Sequence, residues 1–394
     1  MSCGRAVDSA VTVEEPAAAK ADSRTRSNRS VPWGESRSRS GSPSAPSSAS
    51  AGNQADARPF DARSSCEDMT SRYRQCPDSE EARSAMTDDD WTFGGSWPYE
   101  PHWYETADGR LHYVDEGPRD APPVVLVHGN PSWGYVYRNF IPPLVEAGYR
   151  VIVPDLLGAG RSDKPDRPEV YKIRRHAERT EQLLESLDLR DATLVPHDWG
   201  LNSLYWAIHH PERLRSLFIL NTRAHRRREE IKLPLPIRLF RNRGTGPLLV
   251  KRLDVVRRFF LFKFGIEHGD RLTPEIKRAY LAPNPTAASR TGVLVFLQEI
   301  PTGPSDPISH FWGELEDGLE RHFRDKPVGI AWGMKDAAFT PAYLELWLRT
   351  FPHAVVTRVP DAGHFVQEDA YERVVPALLD HLRNARSRSG AASP

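Results

Sequence analysis

Cysteine is scarce in this chain of 394 residues: Cys3, Cys66 and Cys76 fall in the first quarter and none follows. The remaining three-quarters use no disulfide, no thiolate metal site and no cysteine nucleophile. An excess of either charge is also missing, with 53 Lys and Arg against 53 Asp and Glu. That balance excludes a global polycation gripping nucleic acid and leaves only local patches. No apolar run approaches the roughly 18 residues that a membrane-spanning helix needs. The start of the chain shows no apolar core ahead of a cleavage site, so no secretory signal is read. These absences predict a soluble, cytoplasmic protein, and the length allows two or three domains.

Composition shifts along the chain. Residues 1–88 are rich in Ser, Arg, Ala and Asp, as in Ser36-Arg37-Ser38-Arg39-Ser40. Such a stretch cannot bury enough apolar area to offset its ordering entropy, so it is expected to be disordered. An interaction tail that touches nucleic acid through Arg24–Arg39, and a natural start at Met86 just ahead of Trp91, are the alternative readings of this extension. The Ser/Gly/Ala-rich end, 387–394, is expected to be loose.

From about residue 90 strands and helices alternate. Leu111–Asp115 reads as an antiparallel strand, and Val124–Val127 as a wholly apolar, buried parallel strand. Tyr135–Ala147 has helical periodicity closed by Gly148. Strand Val151–Val153, helix His176–Leu187, strand Ala192–Pro196, helix Leu201–His210 and strand Leu214–Asn221 follow. The rhythm stops over 223–326, which holds helical segments and many Pro. It resumes with strand Val328–Trp332, helix Pro341–Phe351, strand Ala354–Val359 and helix Val366–Arg383. The pattern predicts a mostly parallel sheet with a helical lid over the carboxyl ends of its strands.

Chemistry concentrates at four places. Leu194-Val195-Pro196-His197-Asp198-Trp199-Gly200 runs from a strand directly into a helix. A polar residue there, with Gly two positions on, has the layout of a nucleophile elbow. The corner residue is Asp198 rather than Ser, and a carboxylate can attack a saturated carbon and form an ester on the protein. Asp336 follows strand Val328–Trp332, and His364 follows strand Ala354–Val359. The order nucleophile, acid, histidine suits a hydrolase in which Asp336 orients His364 and His364 takes a proton from water. Asp361 is a rival acid, but three residues from His364 it reads as a turn former. The loop His128–Trp133 follows the first parallel strand. Backbone amides of Asn130 and Trp199 would complete an oxyanion hole. The Asn130 amide and Trp199 indole are neutral donors suited to a departing halide.

These motifs carry a resemblance. Residues 95–385 resemble a haloalkane dehalogenase of the α/β-hydrolase superfamily. The motifs are His128-Gly129-Asn130-Pro131-Ser132-Trp133, Asp155–Pro165, His197-Asp198-Trp199-Gly200, Trp332–Asp336 and Gly363-His364-Phe365. The Asp-His-Asp triad with Asn and Trp donors is most similar to the third dehalogenase subfamily. The resemblance implies an α/β-hydrolase fold with a helical cap inserted after the sixth strand. The core is then 89–222 and 327–386, with 223–326 as the cap. It implies Asp198 as nucleophile, His364 as base, Asp336 as acid, and Asn130 with Trp199 as halide ligands. It implies no cofactor and no metal. Expected partners are a small halogenated aliphatic molecule and water, with no nucleic acid, in a monomer or weak homo-oligomer.

Three features depart from that pattern or compete with it. Leu201 stands where relatives carry a small residue, and Arg223 where they carry an aromatic. Lys251–Phe264 mixes cations with four Phe and is read as an amphipathic lid helix lining an apolar pocket rather than as a membrane-surface helix. Gly158-Ala159-Gly160 reads as a structural turn, since the Lys-Ser/Thr pair of a phosphate loop is missing. His209, His210 and His225 have no metal-ligand spacing. An epoxide hydrolase is the nearest alternative, but over 223–326 its acid donor would have to be Tyr280, the one Tyr there. A non-catalytic binding protein of the same fold is the other alternative.

Overall fold

The computed structural model describes residues 86–87 and 89–390. Of the extension read over residues 1–88, residues 1–85 and 88 lie outside this range, as do the last four residues of the chain. Eight strands form one sheet: β1 His102–Thr106, β2 Gly109–Glu116, β3 Pro123–Val127, β4 Arg150–Pro154, β5 Ala192–Pro196, β6 Leu214–Leu220, β7 Val328–Gly333 and β8 Val355–Val359. Their spatial order is β1-β2-β4-β3-β5-β6-β7-β8. The β1–β2 and β2–β4 pairs are antiparallel and all others parallel. Strands β3, β5 and β7 are buried at every position, which is why they read as continuous apolar runs.

Alternate residues of each strand feed opposite faces. Val124, Leu126, Val151 and Val153 join one core cluster, and Val125, Val127, Ile152 and Leu194 the other. Helix Tyr371–Gly390 covers the first face with Val374, Leu378 and Leu382, spaced at four residues. The second face is covered by helix Ile173–Ser186 and helix Ser309–His322, through Ala177, Leu184, Phe311, Leu315 and Leu319. Each such fully buried Leu or Val contributes about 1.5–3 kcal/mol. The last helix between β6 and β7 thus packs into the core layer itself.

Several elements differ from the sequence reading. The stretch 135–147 is not one helix: Gly134–Tyr137 is a 3-10 turn and Ile141–Glu146 a short helix. Pro142 and Pro143 cause the break, since proline is tolerated in a first turn but not inside a helix. The elbow helix starts as a 3-10 segment, Asp198–Ser203, before helix Leu204–His209. Ser203 Oγ donates to Gly200 O and Asn202 Nδ2 to Trp199 O, tightening that turn. The final helical stretch breaks at Ala370 and then runs to Gly390, beyond the loose end expected from Ser387. The short strand β1 has no counterpart in the sequence reading. Lys251–Phe264 is not one regular amphipathic helix. It forms two wide π-type segments, Pro247–Arg252 and Val256–Gly265, and Phe259 and Phe264 face solvent instead of a pocket. Among the described residues no helix is long and apolar enough to cross a membrane.

The chain leaves β3 toward β4 on one side and returns to β5 on the other. Such a switch point opens a crevice at the carboxyl ends of the strands. The His128–Trp133 loop follows β3 and Asp198 follows β5, so both enter that crevice.

Candidate functional site

Asp198 sits at the sharp corner after β5 with φ +49, a strained value for a non-glycine residue. The corner is held from two sides. Asp198 N–H donates to Asn221 O (3.2 Å), and Thr222 Oγ1 donates to Asp198 O (2.6 Å). Crowding explains the flanking glycines: a Cβ on Gly200 would lie 2.1 Å from Val127 O, and one on Gly129 would lie 2.2 Å from Asp198 Oδ1.

The carboxylate is asymmetrically held. Oδ1 accepts the backbone N–H of Asn130 at 2.7 Å. Burial pushes the Asp198 carboxyl up to about 6, against the pull of His364 and of the Trp199 and Asn130 amides. Oδ2 lies 3.7 Å from His364 Nε2. On the other side of the imidazole, Nδ1 lies 2.9 Å from Asp336 Oδ2. The structure therefore brings Asp198, His364 and Asp336 into one line.

Asp336 is itself anchored. Its Oδ1 accepts the amides of Ala338 (2.7 Å) and Phe339 (3.0 Å), and its Oδ2 accepts Asn221 Nδ2 (2.9 Å). Burial alone would raise this carboxyl, but His364 and the two amides outweigh it and hold it below the ordinary range. Burial likewise pushes the His364 imidazole down, and the carboxylates of Asp336 and Asp198 reverse that, leaving it above its usual value. Phe339 stacks on the ring at 5.6 Å. His197 supports the other side: its Nε2 is 2.9 Å from His364 O, and burial drives its imidazole down to about 3. A neutral His197 donates through Nε2 to that carbonyl.

The two donors expected for a leaving group flank Asp198. The Trp199 indole packs against Phe296 (5.1 Å) and Trp312 (5.8 Å), residues of the stretch between β6 and β7. Among the described residues its N–H has no protein acceptor. Asn130 Nδ2 makes one long contact, 3.4 Å to Val293 O in the same stretch.

Other residues singled out in the sequence fall elsewhere. Asp361 is half-exposed and pairs with Arg373 at 2.6 Å rather than with His364. Tyr280 is fully buried and its hydroxyl donates to Glu368, which also holds Arg138 at 2.8 Å. Leu201 is buried in the second core cluster. Arg223 is buried with its guanidinium 5.8 Å over the Tyr343 ring, and its Nε has no partner among the described residues. It borders a cavity of about 420 Å³ with Arg227 and Tyr343, and neither Asp198 nor His364 lines that cavity. The Gly158–Gly160 turn wraps Asp155, which accepts the amides of Gly134 (2.8 Å) and Arg161 (2.9 Å). Among the described residues no group of His, Cys, Asp and Glu is arranged to hold a metal ion.

Asn221 escapes the sequence reading as a site residue. Its side chain bridges Gly333, whose N–H donates to Oδ1 at 2.8 Å, and Asp336. The available signal is its position at the carboxyl end of a buried strand. Phe339 and His197 carry no sequence signal beyond their neighbours.

An eight-stranded, mostly parallel sheet with a carboxylate at its nucleophile elbow and a histidine–acid pair on later loops defines an α/β-hydrolase. The sequence matches the alpha/beta hydrolase fold family over residues 122–371, and the chain belongs to that family. Within it, the chain is a haloalkane dehalogenase-like hydrolase. It is 36% identical over 294 residues to haloalkane dehalogenase 1 of Mycobacterium tuberculosis, covering 72% of this chain and 93% of that one. It is 33% identical over 300 residues to a cis-3-alkyl-4-alkyloxetan-2-one decarboxylase of Shewanella oneidensis, covering 75% and 92%. Among solved structures, the haloalkane dehalogenase of Bradyrhizobium elkani is similar with a TM-score of 0.67 and 26% identity, covering 73% of this chain and 99% of that one.

Proposed function

We propose that this protein removes halide from small haloalkanes through a covalent alkyl-aspartyl ester, with residues 223–308, the part of the expected 223–326 cap that precedes the core-packed helix Ser309–His322, acting as the lid. One observation carries the reading: Asp198 Oδ1 already accepts the Asn130 backbone amide, while Oδ2 lies on the His364 side, 3.7 Å from Nε2. Oδ2 attacks the carbon that bears the halogen, and the carbon–halogen bond breaks as the ester bond forms. Halide leaves toward the side-chain Nδ2 of Asn130 and the Trp199 indole N–H. Oδ1 becomes the ester carbonyl, already facing the Asn130 amide. His364 Nε2 then takes a proton from water, and the hydroxide adds at the Asp198 carboxyl carbon. Collapse of that intermediate frees the alcohol and restores the carboxylate. Esterification also removes the negative charge of Asp198, one of the influences that raise His364. The imidazole thus becomes easier to hold neutral at the step that needs a base. Asp-His-Asp with Asn and Trp donors supports placement in the third subfamily.

A second reading is favoured by the similarity to oxetan-2-one decarboxylases in Shewanella oneidensis and, at 35% identity, in Xanthomonas campestris. A β-lactone also offers a saturated carbon with an anionic leaving group. Asp198 would attack the ring carbon bonded to oxygen, and that oxygen would leave as part of a carboxylate. Loss of CO2 would then form the alkene and expel Asp198, with no water consumed. The engaged hydroxyl of Tyr280 counts against an epoxide hydrolase.

The test is product analysis with 1-bromobutane, 1,2-dibromoethane, 1-iodohexane, styrene oxide and a cis-3,4-dialkyloxetan-2-one. Halide release that disappears in Asp198→Ala supports dehalogenation. Alkene and CO2 from the lactone alone move the assignment to decarboxylation, and turnover of styrene oxide alone moves it to epoxide hydrolysis.

A further inference from the structure

The described residues expose eight large hydrophobic side chains, and six of them belong to one short stretch: Leu235, Leu239, Leu248, Leu253, Phe259 and Phe264. Each is between 40% and 62% exposed. The aromatic part is continuous, since the Phe259 and Phe264 rings lie 5.5 Å apart and both contact Phe260. Phe260 in turn meets Phe240, next to Leu239, at 4.9 Å. Helix Leu235–Arg241 packs beside Pro247–Arg252, which carries Leu248. An apolar surface of this kind on a water-facing protein marks a contact site.

The charge around it names the partner. Residues 232–264 contain nine Lys and Arg and a single acid, Asp254. Asp254 is buried and taken by Arg257 at 2.6 Å. The exposed cations Lys232, Arg238, Arg243, Arg252 and Lys263 have no carboxylate partner among the described residues. The occupant must therefore be apolar at its centre and anionic around it. A second copy of the chain does not fit, because a two-fold contact would set this basic rim against itself. Nucleic acid would satisfy the cations but leave the leucines and phenylalanines in water.

We propose that residues 235–264 dock this protein onto an anionic phospholipid bilayer, with Leu253, Phe259 and Phe264 in the headgroup–acyl boundary and Arg243, Arg252 and Lys263 among the lipid phosphates. An apolar insertion with a surrounding cationic rim is the physical pattern of interfacial attachment. The attachment concerns the outer surface and holds whichever leaving group Asp198 displaces.

The experiment is co-sedimentation of the full chain with vesicles of phosphatidylcholine alone and of phosphatidylcholine with phosphatidylglycerol (roughly three to one). The chain is expected to pellet with the anionic vesicles and stay free of the neutral ones. Retention falls at about 0.5 M NaCl, where screening shortens to roughly 4 Å. Each cation near such a surface is worth roughly fivefold, so Arg243→Glu/Arg252→Glu/Lys263→Glu weakens partitioning by about a hundredfold or more. Leu253→Ser/Phe259→Ser/Phe264→Ser weakens it by at least about tenfold. The melting temperature of the glutamate variant is unchanged, because its altered side chains are exposed, and that of the serine variant, whose side chains are about half exposed, falls by only a few degrees. Val355→Ser, an exposed apolar site elsewhere, leaves binding intact. A milder variant, Phe264→Trp, reports insertion directly: its emission, taken as the difference from the parent, shifts to the blue and is quenched by brominated lipid. The proposal is overturned if the full chain stays in the supernatant with anionic vesicles. It is equally overturned if the serine variant binds as the parent does, which would mean charge attraction alone, or if the difference emission of Phe264→Trp is unmoved by the vesicles. Self-association lost in the serine variant, without lipid binding, would reassign the surface to a second copy.

Discussion

His364 Nε2 stands 3.7 Å from Asp198 Oδ2, just beyond hydrogen-bond reach. The two groups are neighbours without being bonded, and a water molecule attacking the Asp198 carboxyl carbon would meet the imidazole on this side. In the proposed mechanism Asp198 can therefore act before His364 is needed.

Separating the two steps gives the first prediction. His364→Gln should still lose one equivalent of halide per protein and then stop. Intact-mass spectrometry should show the chain heavier by one alkyl group, with a peptide map placing it on Asp198. Steady turnover, or no mass change after halide loss, would contradict the ester.

The acid limb of the pH profile follows from two groups. Asp198 must be ionised, which requires a pH above about 6. His364 must be neutral at the ester step, and the Asp336 carboxylate, which still faces it there, holds its pKa up, so turnover is lost as the imidazole protonates on lowering the pH. Asp336→Asn removes a carboxylate that holds His364 up. Turnover should drop by about 10⁴-fold, the loss known for the equivalent change in serine proteases, while the acid limb moves toward lower pH. A pH–rate profile of the residual activity reads both effects. An unmoved limb would mean that Asp336 does not set the imidazole.

Trp199→Phe keeps the packing against Phe296 and Trp312 and deletes one N–H. Loss of one such donor costs roughly 10²–10³-fold in the rate of charge development. Stopped-flow halide release should show this loss, larger for bromide than for iodide because the smaller ion gains more from a hydrogen bond. Hydrolysis of a preformed ester should be nearly unaffected.

Arg223 makes a prediction about stability rather than rate. Burial and the nearby Arg227 lower its guanidinium to about 9. A lowered cationic pKa means that the charged form is disfavoured in the folded protein, so Arg223 subtracts stability at neutral pH. Arg223→Met should raise stability by roughly 1–3 kcal/mol, a few degrees of melting temperature. Halide release should be unchanged. A lower melting temperature would show that contact with Tyr343 outweighs the cost of burial.

Much of the core is legible because its signals are local. An apolar run ending in a polar residue, then Gly, then a helix marks Asp198 within seven residues. His364 and Asp336 each follow a strand closely, so order along the chain stands in for order in space. Asn221 is not legible, because its work is done across the sheet, between β6 and the loop after β7. Residues 223–326 are harder still. There the segments holding Leu248 and Phe259 coil in wide turns, whose spacing mimics an amphipathic helix without its geometry. Solvent-facing phenylalanines consequently read as pocket lining.

The amide of Phe365, the residue after His364, donates to Gly265 O at 2.9 Å. One bond thus joins the end of the Val256–Gly265 segment to the loop of the histidine. Anyone exchanging the stretch between β6 and β7 for that of a relative would have to keep a backbone carbonyl where Gly265 now presents one. A graft that displaced that carbonyl would take the partner away from the Phe365 amide, and the loop that carries His364 would shift with it.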